Sequence, residues 1–161
     1  MKREFKTTSD EETLGIGFQL GKQLNRGSVV CVTGDLGAGK TVFTKGIAKA
    51  LGVKENVTSP TYVLIKKYKI AKKKSKPSKN VVVKNFQFPT SNFQFFYHMD
   101  AYRLSDPQEA LDLGIEEIWS DPNNIIAIEW AEKISDILPK NKVDLCFESI
   151  SENERKIMIF D

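Results

Sequence analysis

The sequence predicts an α/β domain, with a central, mostly parallel β-sheet flanked by helices and finished by a C-terminal β-hairpin. Three observations carry that reading. Short β-branched runs alternate with helical patterns along the chain, the order that builds parallel strands joined by crossover helices. One such run, Ser28-Val29-Val30-Cys31-Val32-Thr33, passes through a glycine-rich loop directly into a helical pattern. Two strand-like runs, Lys142 to Ile150 and Arg155 to Phe160, close around Ser151-Glu152-Asn153-Glu154. At 161 residues the chain fits one domain, large enough to bury a core without metals or disulfides. No internal repeat or long linker divides it, so residues 1–161 are read as a single domain.

The elements follow in order. Ser9-Asp10-Glu11-Glu12 is a capping box, and Leu14, Phe18, Gly21 and Leu24 recur at helical spacing until Gly27. After the run at 28–33 and its glycine loop, a second helix extends to Leu51 and stops at Gly52. A strand is expected from Thr61 to Tyr68 behind Ser59-Pro60, and another from Phe93 to Asp100. Between them, residues 69–94 show no clear period and read as a Lys-rich insertion, a hairpin at most, from Val81-Val82-Val83 and Phe86-Gln87-Phe88. Asp106-Pro107-Gln108-Glu109 starts a helix, with Gly114 as its stop. Ile125-Ile126-Ala127-Ile128 is a buried strand ending on Glu129.

The formal charge of +3, from 24 basic and 21 acidic residues, conceals an uneven distribution. Nine lysines lie between 66 and 84, and no acid occurs between Glu55 and Asp100. The remaining 15 basic and 21 acidic residues make a body of −6, so the chain is not uniformly basic. The two cysteines, Cys31 and Cys146, sit in apolar runs without metal-ligand spacing and read as reduced packing residues. No signal-peptide pattern and no run of about 18 apolar residues is present. The expectation is a soluble cytoplasmic protein with no membrane partner.

The chemistry concentrates in Gly34-Asp35-Leu36-Gly37-Ala38-Gly39-Lys40-Thr41, which fits G-x-x-x-x-G-K-[ST] with a strand before it and a helix after. Glycines let such a loop wrap a phosphate chain and aim its amides inward. Lys40 neutralises the β- and γ-phosphates, and Thr41 places its hydroxyl on Mg²⁺. Chance gives the pattern in about one such sequence in a hundred, before the strand and helix context is counted. The domain is therefore expected to be a P-loop NTPase-like fold.

Hydrolysis needs acids to complete a metal site and orient water. Glu129 ends a buried strand, where a Walker B acid is expected, and Asp100 likewise closes an apolar strand, at whose carboxyl end sheet ligands usually sit. Asp100 suits a second metal acid or the group that positions the attacking water; a turn partner for Arg103 is its structural alternative. His98, the only histidine, shares a strand face with Asp100 and fits either a catalytic or a hydrogen-bonded structural role. Thr58-Ser59-Pro60-Thr61 offers hydroxyls at a bend suited to a γ-phosphate-sensing loop. Asn141-Lys142-Val143-Asp144 matches a guanine-reading N-K-x-D string, but no buried strand precedes it and the chain has no D-x-x-G. It is read as coincidence, and ATP is the expected nucleotide.

Taken together, the P-loop, Ser59-Pro60-Thr61-Tyr62, His98-Met99-Asp100-Ala101-Tyr102-Arg103-Leu104 and Ile128-Glu129-Trp130-Ala131-Glu132-Lys133 closely resemble the TsaE (YjeE) family. The resemblance implies a Mg²⁺-dependent ATPase of tRNA threonylcarbamoyladenosine (t6A) biosynthesis that works with TsaB and TsaD. In that scheme TsaD modifies the adenosine beside the anticodon, and the ATPase supports repeated turnover. The resemblance makes Gly34 to Thr41 and Thr61 nucleotide contacts. It makes Lys40, Asp100 and Glu129 catalytic, and Thr41, Asp100 and Glu129 metal-site residues. Trp130 is expected near the nucleotide or the partner surface, or in the core, and Arg155 near the nucleotide. Between Tyr68 and His98 the chain departs from the family's short connection. The lysines there are either a solvated insertion or a contact for tRNA phosphates or an acidic partner surface. Two other functions remain in view. A small-molecule or nucleoside kinase would close arginines over the phosphate, and only Arg3, Arg26, Arg103 and Arg155 are available. A non-hydrolytic scaffold would have no need of Lys40, Thr41, Asp100 and Glu129 together.

Overall fold

The computed structural model describes residues 2–60, 63–71 and 94–160. Thr61, most of the Lys-rich insertion and its two hairpin candidates at 81–83 and 86–88 lie outside the described residues. The elements are β1 (Lys2–Thr7), α1 (Asp10–Gln23), β2 (Val29–Gly34), α2 (Lys40–Leu51), β3 (Ile65–Lys69), β4 (Phe95–Asp100), α3 (Pro107–Asp112), α4 (Ile115–Ser120), β5 (Asn124–Glu129), β6 (Val143–Ser149) and β7 (Arg155–Phe160), with a 3-10 helical segment at Ala131–Ile137. The strands form one seven-stranded sheet in the order β1-β7-β6-β2-β5-β4-β3. Its centre, β6-β2-β5-β4, is parallel. The β6-β7 hairpin, β1 and β3 join antiparallel at the two sides.

Alternation along the strands sends side chains to two cores. Val30, Val32, Phe96, Ile125, Ala127, Leu145 and Phe147 meet α1 and α2 through Leu20, Phe43, Ile47 and Leu51. Val29, Cys31, Met99, Ile126 and Ile128 meet α3, α4 and the 3-10 segment through Ala110, Ile115 and Ile134. β5 is buried along its whole length, as its unbroken apolar run requires of a strand covered on both faces. Both cysteines are free, and burial pushes the Cys31 thiol up to about 12.

Local signals mostly place the ends of elements. Ser9 caps α1 by accepting from the Glu12 amide at 3.2 Å, but the Glu12 carboxylate reaches back to the Thr8 amide at 2.7 Å, one residue beyond the expected box partner. That helix ends at Gln23, and Gly27 makes the turn before β2. Asp106 and Glu109 form a complete capping box on α3 with Pro107 in its first turn. The strand expected from Thr61 begins at Ile65, because the Val63 and Leu64 amides both donate to the Pro60 carbonyl at 2.8 Å in a turn. The ends of the insertion meet, with the Ile70 amide donating to the Gln94 carbonyl at 3.0 Å. β1 has only Phe5 as an apolar residue and so carries no strand pattern of its own; pairing with β7 makes it a strand.

The two helices on one face cross through glycine. A Cβ on Gly17 would lie 2.2 Å from the Phe43 carbonyl oxygen, and one on Gly46 would lie 2.2 Å from that of Leu14. The obstructing atoms are backbone, so α1 and α2 would have to separate. Since α2 carries the P-loop lysine and threonine at its first turn, this crossing holds the loop on the sheet. Gly17→Ala or Gly46→Ala is expected to destabilise the domain by about 1–3 kcal/mol through overpacking. Thermal denaturation checks this, and an unchanged midpoint in both variants contradicts it.

Candidate functional site

Parallel register is what gathers the acids. Asp100 at the end of β4 pairs with Glu129 at the end of β5, and Glu129 pairs with Val32, two residues before Gly34 and the loop. Glu129, Asp100 and His98 share the parity of Phe96 and Ile125, so they face α2. A cavity of about 350 Å³ opens there, lined by Leu36, Gly37, Gly39, Lys40, Thr41, Val42, Ser59, Asp100, Tyr102, Glu129 and Trp130. The structure thus brings Lys40, Thr41, Asp100 and Glu129 to one cavity at the carboxyl ends of the parallel strands. Ligands of open α/β sheets sit in this position.

Lys40 is folded back on its own loop. Its Nζ donates to the Gly34 carbonyl at 2.7 Å and to the Asp35 carbonyl at 2.6 Å, and it lies 3.8 Å from the centre of the Trp130 ring. Burial lowers its pKa from the ordinary lysine value, against the opposing pull of Glu129, Glu132, Asp35 and Asp100. An anion entering the cavity would supply the charge partner that the carbonyl dipoles only approximate. Trp130 holds a left-handed backbone at φ 59°, rare for a bulky residue. Its ring is wedged between Lys40 and the Tyr102 ring, whose centroid is 4.8 Å away. These contacts hold a conformation that would otherwise cost about 1–3 kcal/mol.

The acids are held differently. Glu129, 3% exposed, accepts the Thr41 hydroxyl on Oε2 at 2.9 Å and meets His98 Nε2 with Oε1 at 2.6 Å. Asp100 accepts the Ser59 hydroxyl at 3.1 Å and the Tyr102 amide at 3.0 Å. The donor set suits a hard divalent cation. Among the described residues no three carboxylate, histidine or cysteine groups cluster to hold a metal alone. Proteins in general bind Mg²⁺ through only one or two carboxylates, with water and substrate phosphates completing its shell.

Other expected residues fall around this centre. Gly39, at φ +94°, needs a conformation that side chains rarely adopt, and a Cβ there would lie 3.1 Å from Arg155 Cδ. Arg155 therefore packs behind the loop, tied to Asp10 Oδ1 at 2.8 Å and to Thr13 Oγ1 at 3.4 Å, and does not line the cavity. Asp35 turns its carboxylate to the Ser149 amide at 3.2 Å, fastening the loop to β6. Leu36 is 77% exposed at the loop tip, whereas Ala38 is buried beneath it. The N-K-x-D string lies at the other end of the sheet. Val143 opens β6 opposite Val30, whereas the loop leaves β2 beyond Gly34, opposite Phe147. Lys142 there binds Asp144 of its own string at 2.9 Å.

Sequence reasoning missed three contacts: His98 on Glu129, Ser59 on Asp100, and Trp130 over Lys40. Parity on β4 placed His98 on the right face, but only the β4–β5 register reveals its partner.

The family model described as threonylcarbamoyl adenosine biosynthesis protein TsaE matches residues 7–157. The chain is 32% identical over 154 residues to the tRNA threonylcarbamoyladenosine biosynthesis protein TsaE of Bacillus subtilis, covering 96% of this chain and 82% of the relative. It is 31% identical over 151 residues to the protein of the same description from Treponema pallidum, covering 94% and 95% respectively. Its fold is similar to the crystal structure of Bacillus subtilis YdiB, with a TM-score of 0.71 and 28% identity over 99% of this chain and 84% of that one.

Proposed function

The chain belongs to the TsaE family, and from that membership we propose that it is the ATP-binding and ATP-hydrolysing protein of t6A formation on tRNA, acting with TsaB and TsaD in the cytoplasm. The observation that carries the enzymatic part is the shared cavity of Lys40, Thr41, Asp100 and Glu129 at the mouth of the P-loop. No helix among the described residues is long and apolar enough to cross a membrane.

The residues divide the work as follows. Lys40 exchanges the Gly34 and Asp35 carbonyls for phosphate oxygens, and the amides of Leu36 to Thr41 line the anion's path. Thr41 and Glu129 would hold Mg²⁺, the Thr41 hydroxyl proton being directed to Glu129 and its lone pairs left for a cation. Bound Mg²⁺ supplies neutralisation of the phosphate charge. Asp100, fixed by Ser59 and Tyr102, is the second acid, serving the metal's water shell or the attacking water. The family resemblance of Ser59-Pro60-Thr61-Tyr62 makes Thr61 a further nucleotide contact in this reading. No arginine lines the cavity among the described residues, so hydrolysis by the isolated chain is slow and a partner completes the site. The lysine segment then serves as a contact for tRNA phosphates, since nine lysines without an intervening acid attract a polyanion.

Two experiments separate these claims. Lys40→Ala should weaken ATP binding about 100-fold, the scale of one or two charge-assisted hydrogen bonds, whereas Glu129→Ala should mainly lower turnover. Phosphate release from ATP without an added acceptor distinguishes this reading from a kinase, and normal hydrolysis in both variants would discredit it. Separately, deleting residues 70–92 should lower tRNA affinity and flatten its salt dependence. An unchanged affinity and salt slope would remove the tRNA contact while leaving the ATPase assignment intact.

A further inference from the structure

A carboxylate that is to receive a cation must present a defined oxygen, and Glu129 has two. Oε2 takes the Thr41 hydroxyl at 2.9 Å. Oε1 faces His98 Nε2 at 2.6 Å, in a pocket where the histidine is fully buried and the glutamate is 3% exposed. An ionised carboxylate only accepts, so the proton in this contact belongs to Nε2. The other ring nitrogen, Nδ1, is buried and has no hydrogen-bond partner among the described residues.

The backbone fixes this arrangement from both sides. His98 stands opposite Ala127 in the parallel β4–β5 register, two residues before the Asp100–Glu129 pair, so its ring reaches diagonally along the sheet face to the glutamate. Phe96, on the same face of β4, is also fully buried. A buried ring held by this contact has little freedom to rotate away from it.

We propose that His98 is the positioning residue for Glu129. Its Nε2–H clamps Oε1, which keeps Oε2 on Thr41 and fixes the carboxylate in the orientation that meets the cation and the phosphates. This rests on reading Glu129 as the metal-site acid, and it assigns the buried histidine a role in the cation site in place of one in packing alone. Outer hydrogen-bond partners of this kind typically control metal affinity or activity by about 10- to 100-fold.

The test uses the full chain with three substitutions. Gln can place an amide N–H near the position of Nε2, Asn is an amide too short to reach it, and Leu fills the space without a donor. His98→Leu and His98→Asn should raise the Mg²⁺ concentration needed for half-maximal phosphate release by about 10- to 100-fold. ATP binding measured without Mg²⁺ should stay within the range of the unaltered chain, and His98→Gln should recover most of the Mg²⁺ response. An unshifted Mg²⁺ requirement in the Asn variant would overturn the proposal, as would equal impairment of the Gln and Asn variants, which would mark a packing role. If the Leu variant fails to fold, the Gln and Asn pair still decides. A readout independent of activity is ¹H–¹⁵N NMR of the metal-free chain, which should show the ring proton on Nε2. A proton on Nδ1 alone would refute the clamp. Absence of phosphate release by the unaltered chain would count against the ATPase reading, and the NMR result would still judge His98.

Discussion

Burying a carboxylate costs several kcal/mol unless donors replace the water it loses, and at Glu129 the two donors come from different layers of the protein. Thr41 belongs to the first turn of α2, and His98 to the neighbouring strand β4. Satisfying one buried charge therefore docks the P-loop helix on the sheet and fixes β4 against β5 at the end where the cavity opens. The Gly17 and Gly46 contacts act in the same direction from the far side of α2, because they allow α1 to hold that helix at backbone distance. Loop, helix and acids form a single mechanical unit.

The same unit explains the state of Lys40. Lys40 is only 5% exposed, its ammonium needs acceptors, and the loop supplies its own carbonyls. Trp130 adds the face of its ring, and in doing so takes up a left-handed backbone that few large residues accept. The loop is thereby shaped around a cation before any anion arrives. Preorganisation of this type lowers the cost of ordering the site on binding. In the proposed function, exchange of these carbonyl contacts for phosphate contacts is the accompanying conformational event.

Much of this was legible in the chain. The P-loop string, the buried run ending at Glu129 and the strand ending at Asp100 each carry local patterns that survive without tertiary information. The C-terminal hairpin and the α3 cap were equally local. Contacts across the sheet were not. The His98–Glu129 bond spans 31 positions and depends on strand register, and the Trp130–Lys40 contact depends on a backbone turn that no propensity predicts. β1 escaped notice because its strand character comes from β7. Arg155 was expected near the nucleotide, and it does lie close to the loop; what sequence could not tell is that Asp10 and Thr13 hold it behind Gly39.

In the proposed function the cavity around Lys40 receives the phosphates of ATP. A crystal structure with Mg²⁺ and a non-hydrolysable ATP analogue tests it most directly. In that complex Lys40 Nζ should leave the Gly34 and Asp35 carbonyls for phosphate oxygens, with Thr41 and Glu129 meeting the metal and the Trp130 ring displaced from the ammonium. A nucleotide bound elsewhere, with Lys40 still on its own carbonyls, would contradict it.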